Sequence, residues 1–484
     1  MSGAAWGYAG SITMLVLTIG AQAVLARIVG PADFGAFAVG ILVVSFAGYL
    51  ADFGIGSALV AKKDVVDEDI RFAFTVQLII GAILCAAIAL GAGPISGLIG
   101  IPESKPVLQI LSLVILIMST FAISGSLLHR DFGFRHQSIA QVLAYVVGNF
   151  AIAVPMALAG FGALSMAVGW VAQALINAVY IWRHYPHPVR PLLRYPAGRS
   201  LLRFGGLSTV ALIARYLSNT LDRAIVGRLT GAADLAFYAT SINLASHPVG
   251  RLLGTLQGVA FSYSSRLNDN KDVGGAKPLL ATIEVSTLIF APLYLVMAAV
   301  SDTLILALYG PGWEPAGAVI QAAAFAMLAM SFTEISSPFL WGFGRGRADT
   351  IGHIITAIAV VVLTYIGTRH SIAMTAWLMA GAYAARSLYL TLMAAHYLQV
   401  SRRTDLLRAL RPGLLVAIAP AIATGTLDWL MAIEGVPAWL RLVVVSIVAA
   451  IVTIGAFLAM RGLLSLPLQA VLTSWLPRMA GAKG

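Results

Sequence analysis

The residues best equipped for chemistry are charged side chains set inside long apolar runs. Between residues 204 and 227, Arg215, Asn219, Asp222 and Arg223 fall at offsets 0, 4, 7 and 8, one face of a 3.6-residue helix. Between 235 and 262, Thr240, Asn243, His247, Arg251 and Thr255 form a second polar stripe, with Pro248 placed to bend it. A charge near the middle of a spanning helix costs roughly 2.5 to 3.5 kcal/mol on insertion scales, so it must face a bundle interior or a water-filled cavity. Arginine suits phosphate there, because its planar, permanently charged fork makes bidentate hydrogen bonds and is less strongly hydrated than lysine. Arg215 and Arg251 are therefore candidate ligands for a diphosphate head group. Asn219, Arg223, Asn243 and His247 share their stripes, and Arg386, between Tyr383 and Tyr389, offers a further cation. The competing role for these arginines is internal pairing with Asp222, Glu284 or Asp52, and for His247 that of a satisfied interior histidine. Asp52, Asp222, Glu284 and Glu334 are the acidic groups inside apolar runs, and such groups can bind the Na+ or protons that drive transport.

These stripes belong to a membrane protein. Of 484 residues 59% are hydrophobic and 11% charged, with a mean hydropathy of +0.89, which excludes a water-soluble fold. The net charge of +11 would suggest nucleic acid in a soluble chain, but the basic residues fall in short gaps between apolar runs and report membrane orientation instead. The one cysteine, Cys85, rules out an intramolecular disulfide. There is no phosphate-binding Gly-x4-Gly-Lys-Ser/Thr, no His-Glu-x-x-His and no dinucleotide fingerprint, so neither cofactor nor metal is expected. Gly342-Phe-Gly344-Arg-Gly346 reads as a turn at a helix end.

Roughly 20 apolar residues cross the hydrocarbon core. That ruler predicts fourteen spans, at about 5–28, 36–60, 72–96, 107–128, 138–158, 161–182, 204–227, 235–262, 279–300, 316–339, 351–367, 372–398, 413–431 and 439–460. The first has no basic residue before it and is too long for a signal peptide. Of 31 Lys and Arg, 22 lie in connections after even-numbered spans or in the tail, five lie in or at the edge of those after odd-numbered ones, and four, Arg215, Arg223, Arg251 and Arg386, lie within spans. The positive-inside rule then places both termini in the cytoplasm. The longest connection, 183–203, carries five arginines on that side, and no outward loop is large enough to hold an active site.

Arg27-Ile-Val-Gly30-Pro-Ala32-Asp33-Phe34, after the first span, recurs as Arg228-Leu-Thr-Gly231-Ala-Ala233-Asp234-Leu235 after the seventh, 201 residues on. Six spans separate the copies, so both halves share one orientation, as in transporters with parallel repeats. The expected division is a six-helix lobe over 1–183, a cytoplasmic linker at 184–203, a second six-helix lobe over 204–400, and two further helices and a tail over 401–484. Asp33 and Asp234 are expected to cap the helices that follow them.

At Leu25-Ala-Arg-Ile-Val-Gly-Pro-Ala-Asp-Phe-Gly35, Leu50-Ala-Asp-Phe-Gly-Ile-Gly-Ser-Ala-Leu-Val60 and Arg130-Asp-Phe-Gly-Phe-Arg135 the chain resembles the polysaccharide flippases, exopolysaccharide and lipopolysaccharide export branch, of the multidrug, oligosaccharidyl-lipid and polysaccharide exporter superfamily. The resemblance implies two six-helix lobes around a central cavity, a bacterial inner-membrane location, and transfer of undecaprenyl-diphosphate-linked oligosaccharide to the outer leaflet by alternating access. It also implies glycosyltransferases and a polymerase of one polysaccharide pathway as partners, membrane lipid as the surroundings, and no nucleic acid. A cation-coupled drug exporter of the same fold is the first alternative, though its cavity should be acidic where these stripes are mainly basic. A membrane glycosyltransferase or polymerase is the second, and the positioned carboxylates and large outer loop such an enzyme needs are not found. A structural scaffold would leave the buried arginines without purpose, and peptidoglycan-precursor transport is a near relative of the leading reading.

Overall fold

The computed structural model describes residues 3–62, 64–131, 133–196, 198–269, 276–400, 402–460 and 462; within these, several side chains, including those of Arg215 and Arg251, lie outside the description. The described residues contain helix and no strand. Hydrocarbon offers no partner to a backbone N–H or C=O, and a helix satisfies both within one segment.

The chain divides into two compact units, Met1–Ala239 and Thr240–Gly484. The first holds α1 (Gly3–Val29), α2 (Pro31–Asp52), α3 (Ile55–Ala61), α4 (Asp67–Ile99), α5 (Ser104–Arg130), α6 (Phe134–Tyr145), a π-helical stretch (Val146–Ala153), α7 (Val154–Leu158), α8 (Ala163–His184), α9 (Gly198–Thr230) and the start of α10 (Ala232–Asp269). The second holds the rest of α10, α11 (Ala276–Ala299), α12 (Ser301–Tyr309), α13 (Pro315–Gly342), α14 (Gly346–Thr368), α15 (Ile372–Tyr397), α16 (Arg403–Ile433) and α17 (Ala438–Met460). Among the described residues eleven helices are long and apolar enough to cross a membrane, counting Phe134–Leu158 as one. The long helices α9, α10 and α15 are not among the eleven. The first two carry the polar stripes and the third carries Arg386.

Two predicted spans prove to be broken. The span at 36–60 stops at Asp52, because Phe53 (φ 45°) and Gly54 (φ 62°) both take the left-handed conformation, and the chain restarts as the seven-residue α3. Arg130 at the end of α5 closes α3, donating from Nη1 to the carbonyls of Leu59 at 3.2 Å and Lys62 at 2.6 Å, where the helix dipole is negative. In the fifth span the turns widen into the π-helix just before Pro155, and Asn149 Nδ2 donates there to Tyr145 O at 3.2 Å and to Gln173 Oε1 of α8 at 3.1 Å.

The internal repeat is preserved as backbone geometry. Gly30 (φ 83°) and Gly231 (φ 93°) take the same positive-φ turn, each donating to the carbonyl four residues back and accepting from the amide four residues on. Gly35 packs directly on the second copy: a Cβ there would overlap the Ala232 carbonyl. Asp33 does not cap as expected. The residue at the N-cap of α2 is Gly30, with no side-chain cap bond, and Asp33 and Asp234 sit inside the first turns of α2 and α10, where they face the positive helix ends. Around this junction Ala36, Val39, Val107, Leu108, Leu111 and Leu235 form the main apolar cluster of the first unit.

The segment after α8 runs as an extended strap across the start of α4. Arg71 Nε donates to Arg190 O at 3.1 Å, Leu192 N donates to Thr75 Oγ1 at 2.8 Å, and Tyr195 OH donates to Asp69 Oδ1 at 3.0 Å. Asp69 also pairs with Lys62 Nζ at 2.5 Å, and His187 lies 5.2 Å from the Phe74 ring. In the second unit α16 packs on α11, with Gly413 set against the Thr287 and Leu288 backbone. Asp428 of α16 accepts from Thr303 Oγ1 of α12 at 2.8 Å and lies 3.5 Å from Arg441 Nη1 of α17, so one carboxylate ties three helices.

Replacing Gly35 with alanine forces the α2–α10 backbones apart, a strain of about 1–3 kcal/mol. Thermal unfolding in detergent should show a lowered midpoint for Gly35→Ala, whereas Gly48→Ala, in the same helix with open space around it, should leave the midpoint unchanged. Burial holds the His187 imidazole below its ordinary pKa, so the folded chain resists protonation there more than the unfolded one. The stability His187 supports is then fully present above about pH 6.5 and lost as pH falls from there through the lower folded value. Midpoints measured from pH 7.5 to 5 should fall less steeply in His187→Phe than in wild type.

Candidate functional site

Each polar stripe is set by the turn beside it. The positive-φ Gly231 folds α9 back on α10, which brings Tyr238 beside Asp222 sixteen positions earlier. Asp222 is 1% exposed, and it accepts from the Tyr238 hydroxyl at 2.9 Å and from the Arg223 backbone N–H at 2.9 Å. Its hydrogen bonds come from a phenol and a peptide group, and the positive charge of Arg223 acts on it through space.

Arg223 and Asn219 are half-buried, and Arg223 Nε and Asn219 Oδ1 are buried atoms with no hydrogen-bond partner among the described residues. A buried polar atom left unsatisfied costs about 1–3 kcal/mol unless something else bonds it. Tyr216, seven positions before Arg223 on the same face of α9, donates to Leu42 O of α2 at 2.7 Å and packs its ring at a tilt on Tyr49, 5.2 Å between centroids. These contacts fix the rotation of α9 and with it the direction of the stripe. The candidate head-group ligands Arg215 and Arg251 have side chains outside the described residues.

In the second unit Asn243 and His247 are half-buried on α10. Glu334 of α13 accepts from Gln257 Nε2 of α10 at 2.5 Å, and Glu284 of α11 is 4% exposed. Arg386 is 3% exposed and lies in a cluster on α14 and α15. Its Nη1 lies 3.3 Å from His353 Nδ1 and its guanidinium carbon 5.3 Å from the Tyr383 ring centre. His353 Nε2 in turn lies 3.8 Å from Asp349 Oδ1, and Trp341 Nε1 donates to Asp349 Oδ2 at 2.9 Å. Back in the first unit, Asp52 sits at the α2–α3 break, where Gln77 Nε2 reaches both its carbonyl and its Oδ1 at 3.3 Å.

Sequence reasoning found the charges and missed their partners. Tyr238, Gln257, Gln77 and the His353–Asp349–Trp341 set carry no spacing signal that ties them to the charge they serve, because each sits on a different helix. Among the described residues no cluster of three or more metal-ligating side chains occurs.

Residues 24–318 match the family described as polysaccharide biosynthesis protein. The chain belongs to that family. It is 28% identical to the succinoglycan biosynthesis transport protein ExoT of Rhizobium meliloti over 69% of this chain and 68% of the relative. It is 22% identical to the lipopolysaccharide biosynthesis protein WzxC of Escherichia coli over 66% of this chain and 65% of that one. Among solved structures it is similar to the lipid II flippase MurJ in an inward closed conformation, with a TM-score of 0.73 at 14% identity, covering 93% of this chain and 99% of that one. An inward-facing MATE-family multidrug transporter, itself of the MOP superfamily, gives a TM-score of 0.57 at 13% identity, covering 81% of this chain and 94% of the other. The chain is thus a multi-pass membrane transporter of the polysaccharide biosynthesis family with a flippase-like fold, and it is not an enzyme.

Tyr238→Phe removes one bond to a buried carboxylate and should cost about 1.5–3 kcal/mol. The midpoint of thermal unfolding in detergent should drop, and Asp222→Asn, which removes the buried charge that has lost its phenol partner, should recover part of the loss in the double variant.

Proposed function

We propose that this protein moves undecaprenyl-diphosphate-linked oligosaccharide repeat units across the bacterial inner membrane, from the cytoplasmic to the outer leaflet, by alternating access. In this reading α9, α10 and α15 span together with the eleven apolar helices, both termini are cytoplasmic, and two six-helix lobes over 1–183 and 204–400 do the moving. The observation that carries it is the match of residues 24–318 to the polysaccharide biosynthesis family. The likeness of fold to a lipid flippase supports it, as do relatives named for succinoglycan transport and lipopolysaccharide biosynthesis. The drug-exporter alternative draws on the MATE fold, which matches less closely than MurJ does.

In the proposed cycle the arginines of α9 and α10 receive the diphosphate. Arg215, Arg223 and Arg251 are the ligands, and Asn219, Asn243 and His247 bond sugar or phosphate oxygens beside them. Arg223 suits this role because its Nε is desolvated and without a partner among the described residues, so a phosphate oxygen would repay that cost. Arg386, engaged with His353, joins as a second-unit cation. Asp222 acts as the bracket that holds Tyr238 and the α9–α10 turn. Asp52, Glu284 and Glu334 are the places for a coupling proton or Na+. Two of these acids, Asp52 and Glu334, are already bonded to a glutamine amide, which can turn its carbonyl toward a cation. The glycosyltransferases and polymerase of the same pathway would supply and consume the cargo.

The test is reconstitution in liposomes with a fluorescent undecaprenyl-diphosphate oligosaccharide. Wild type should exchange the lipid between leaflets, and Arg215→Ala, Arg223→Ala and Arg251→Ala, each first shown to fold, should slow exchange at least tenfold. Normal exchange by the variants would remove the assigned ligands and leave the function standing. Wild type that moves no lipid under any ion gradient would overturn the function, and efflux of a cationic dye by the same vesicles would favour the exporter.

A further inference from the structure

The strap between α8 and α9 has one face spoken for and one face free. Its inward face is His187 on Phe74, the Leu192 amide on Thr75, and Tyr195 on Asp69 and against Phe72. With the carbonyls of Arg190 and Pro191 also held by Arg71, the backbone is fixed at several points along its length. What remains faces outward: Arg190 and Arg194, both exposed, with Val189 at 54% exposure and Leu193 at 62%, and, at the end of α8 just before the strap, the exposed Arg183 and Trp182 at 38%. Basic and bulky apolar side chains alternate along a braced, extended edge.

The length of α4 places this edge in the bilayer profile. Its 33 residues make a rod of about 50 Å, against a hydrocarbon core of about 30 Å, so about 10 Å of helix stands outside the core at each end. The strap docks at Arg71 to Thr75, which is about 6–12 Å from the α4 tip, the level where hydrocarbon meets head groups. The acids of the tip, Asp67 and Glu68, lie farther out toward water, in the first turn where the helix dipole favours them. Asp69 is already taken by Lys62 and Tyr195. At that boundary an outward row of arginines meets lipid phosphates, and the apolar side chains between them meet the tops of acyl chains.

We propose that the outer edge of the strap is a binding surface for anionic phospholipid in the leaflet on its own side, with Arg183, Arg190 and Arg194 on the phosphates and Val189 and Leu193 inserted between them. The surface is distinct from the cargo path of the proposed function and depends only on α4 spanning the membrane. Because the strap is the covalent link from α8 to α9 and is bonded to α4, lipid bound along it holds the segment on which α9 is hung.

The experiment places an environment-sensitive fluorophore at Leu193→Cys in a Cys85→Ser background, with the full chain in nanodiscs of phosphatidylcholine alone or mixed with phosphatidylglycerol. Leu193 is 62% exposed, so the labelled protein should fold. The expected result is emission shifted to the blue and quenched by brominated chains in discs containing phosphatidylglycerol, with a much weaker effect in phosphatidylcholine. Each of Arg183→Gln, Arg190→Gln and Arg194→Gln should weaken the phosphatidylglycerol preference about fivefold. Absence of quenching in either lipid would overturn the proposal by showing the strap in water. Equal quenching in both lipids, or a preference that survives the triple variant, would overturn the phosphate recognition. The leaflet-exchange assay reports on the cargo path separately, so failure of either reading leaves the other judged on its own data.

Discussion

Hydrocarbon solvates neither a peptide group nor a charge, and that one constraint organises the chain. It forces every long segment into helix, and it makes each departure from helix need its own partners. At the α2–α3 break the departure is small, two left-handed residues, yet it is flanked by Asp52 with Gln77 on one side and by the Arg130 guanidinium on the carbonyls of Leu59 and Lys62 on the other. The wide turns before Pro155 draw on Asn149 and Gln173 for the same reason.

Charges obey the same accounting with different partners. Asp222 is held by a phenol and a peptide N–H, Asp428 by Thr303 and Arg441, and Arg386 by His353 and the face of Tyr383. In each case at least one partner sits on another helix, so the interaction that makes the residue tolerable is also one that positions helices. Arg223 differs, since its Nε is buried and has no such partner among the described residues. The Nε atoms of Arg386 and Arg441 are buried and unbonded among the described residues as well, but those two guanidiniums bond His353 and the Asp428 carbonyl through Nη1.

Much of the fold was legible in the sequence because the dominant force, removal of apolar surface from water, writes itself as run length and hydropathy. The repeated Arg-x-x-Gly turn was legible for a second reason: a positive φ at Gly30 and Gly231 demands glycine, so the residue marks its own conformation. The break at Asp52 was not, because Phe53 gives no sign that it will adopt a left-handed turn, and Asp-Phe-Gly reads equally as the continuation of a span. The capping role expected of Asp33 failed because Gly30 and Pro31 start the helix three residues earlier than a carboxylate cap requires. Polar stripes could be read from periodicity within one helix. The partners across helices could not, since Tyr238 or His353 becomes a partner only through the packing that the stripes do not encode.

The π-helical stretch at Val146–Ala153 bears on how relatives of this chain should be aligned. Bonds from each residue to the fifth rather than the fourth before it store roughly one surplus residue in those turns. Losing that residue would restore an ordinary helix locally and leave both flanking segments on the faces they already occupy, while gaining one at an ordinary helical turn would rotate everything beyond it by about 100°. A homologue one residue shorter here is therefore structurally equivalent, and a gap opened inside this membrane segment records the geometry correctly, whereas sliding the whole span to close it would put lipid-facing side chains in register with core ones.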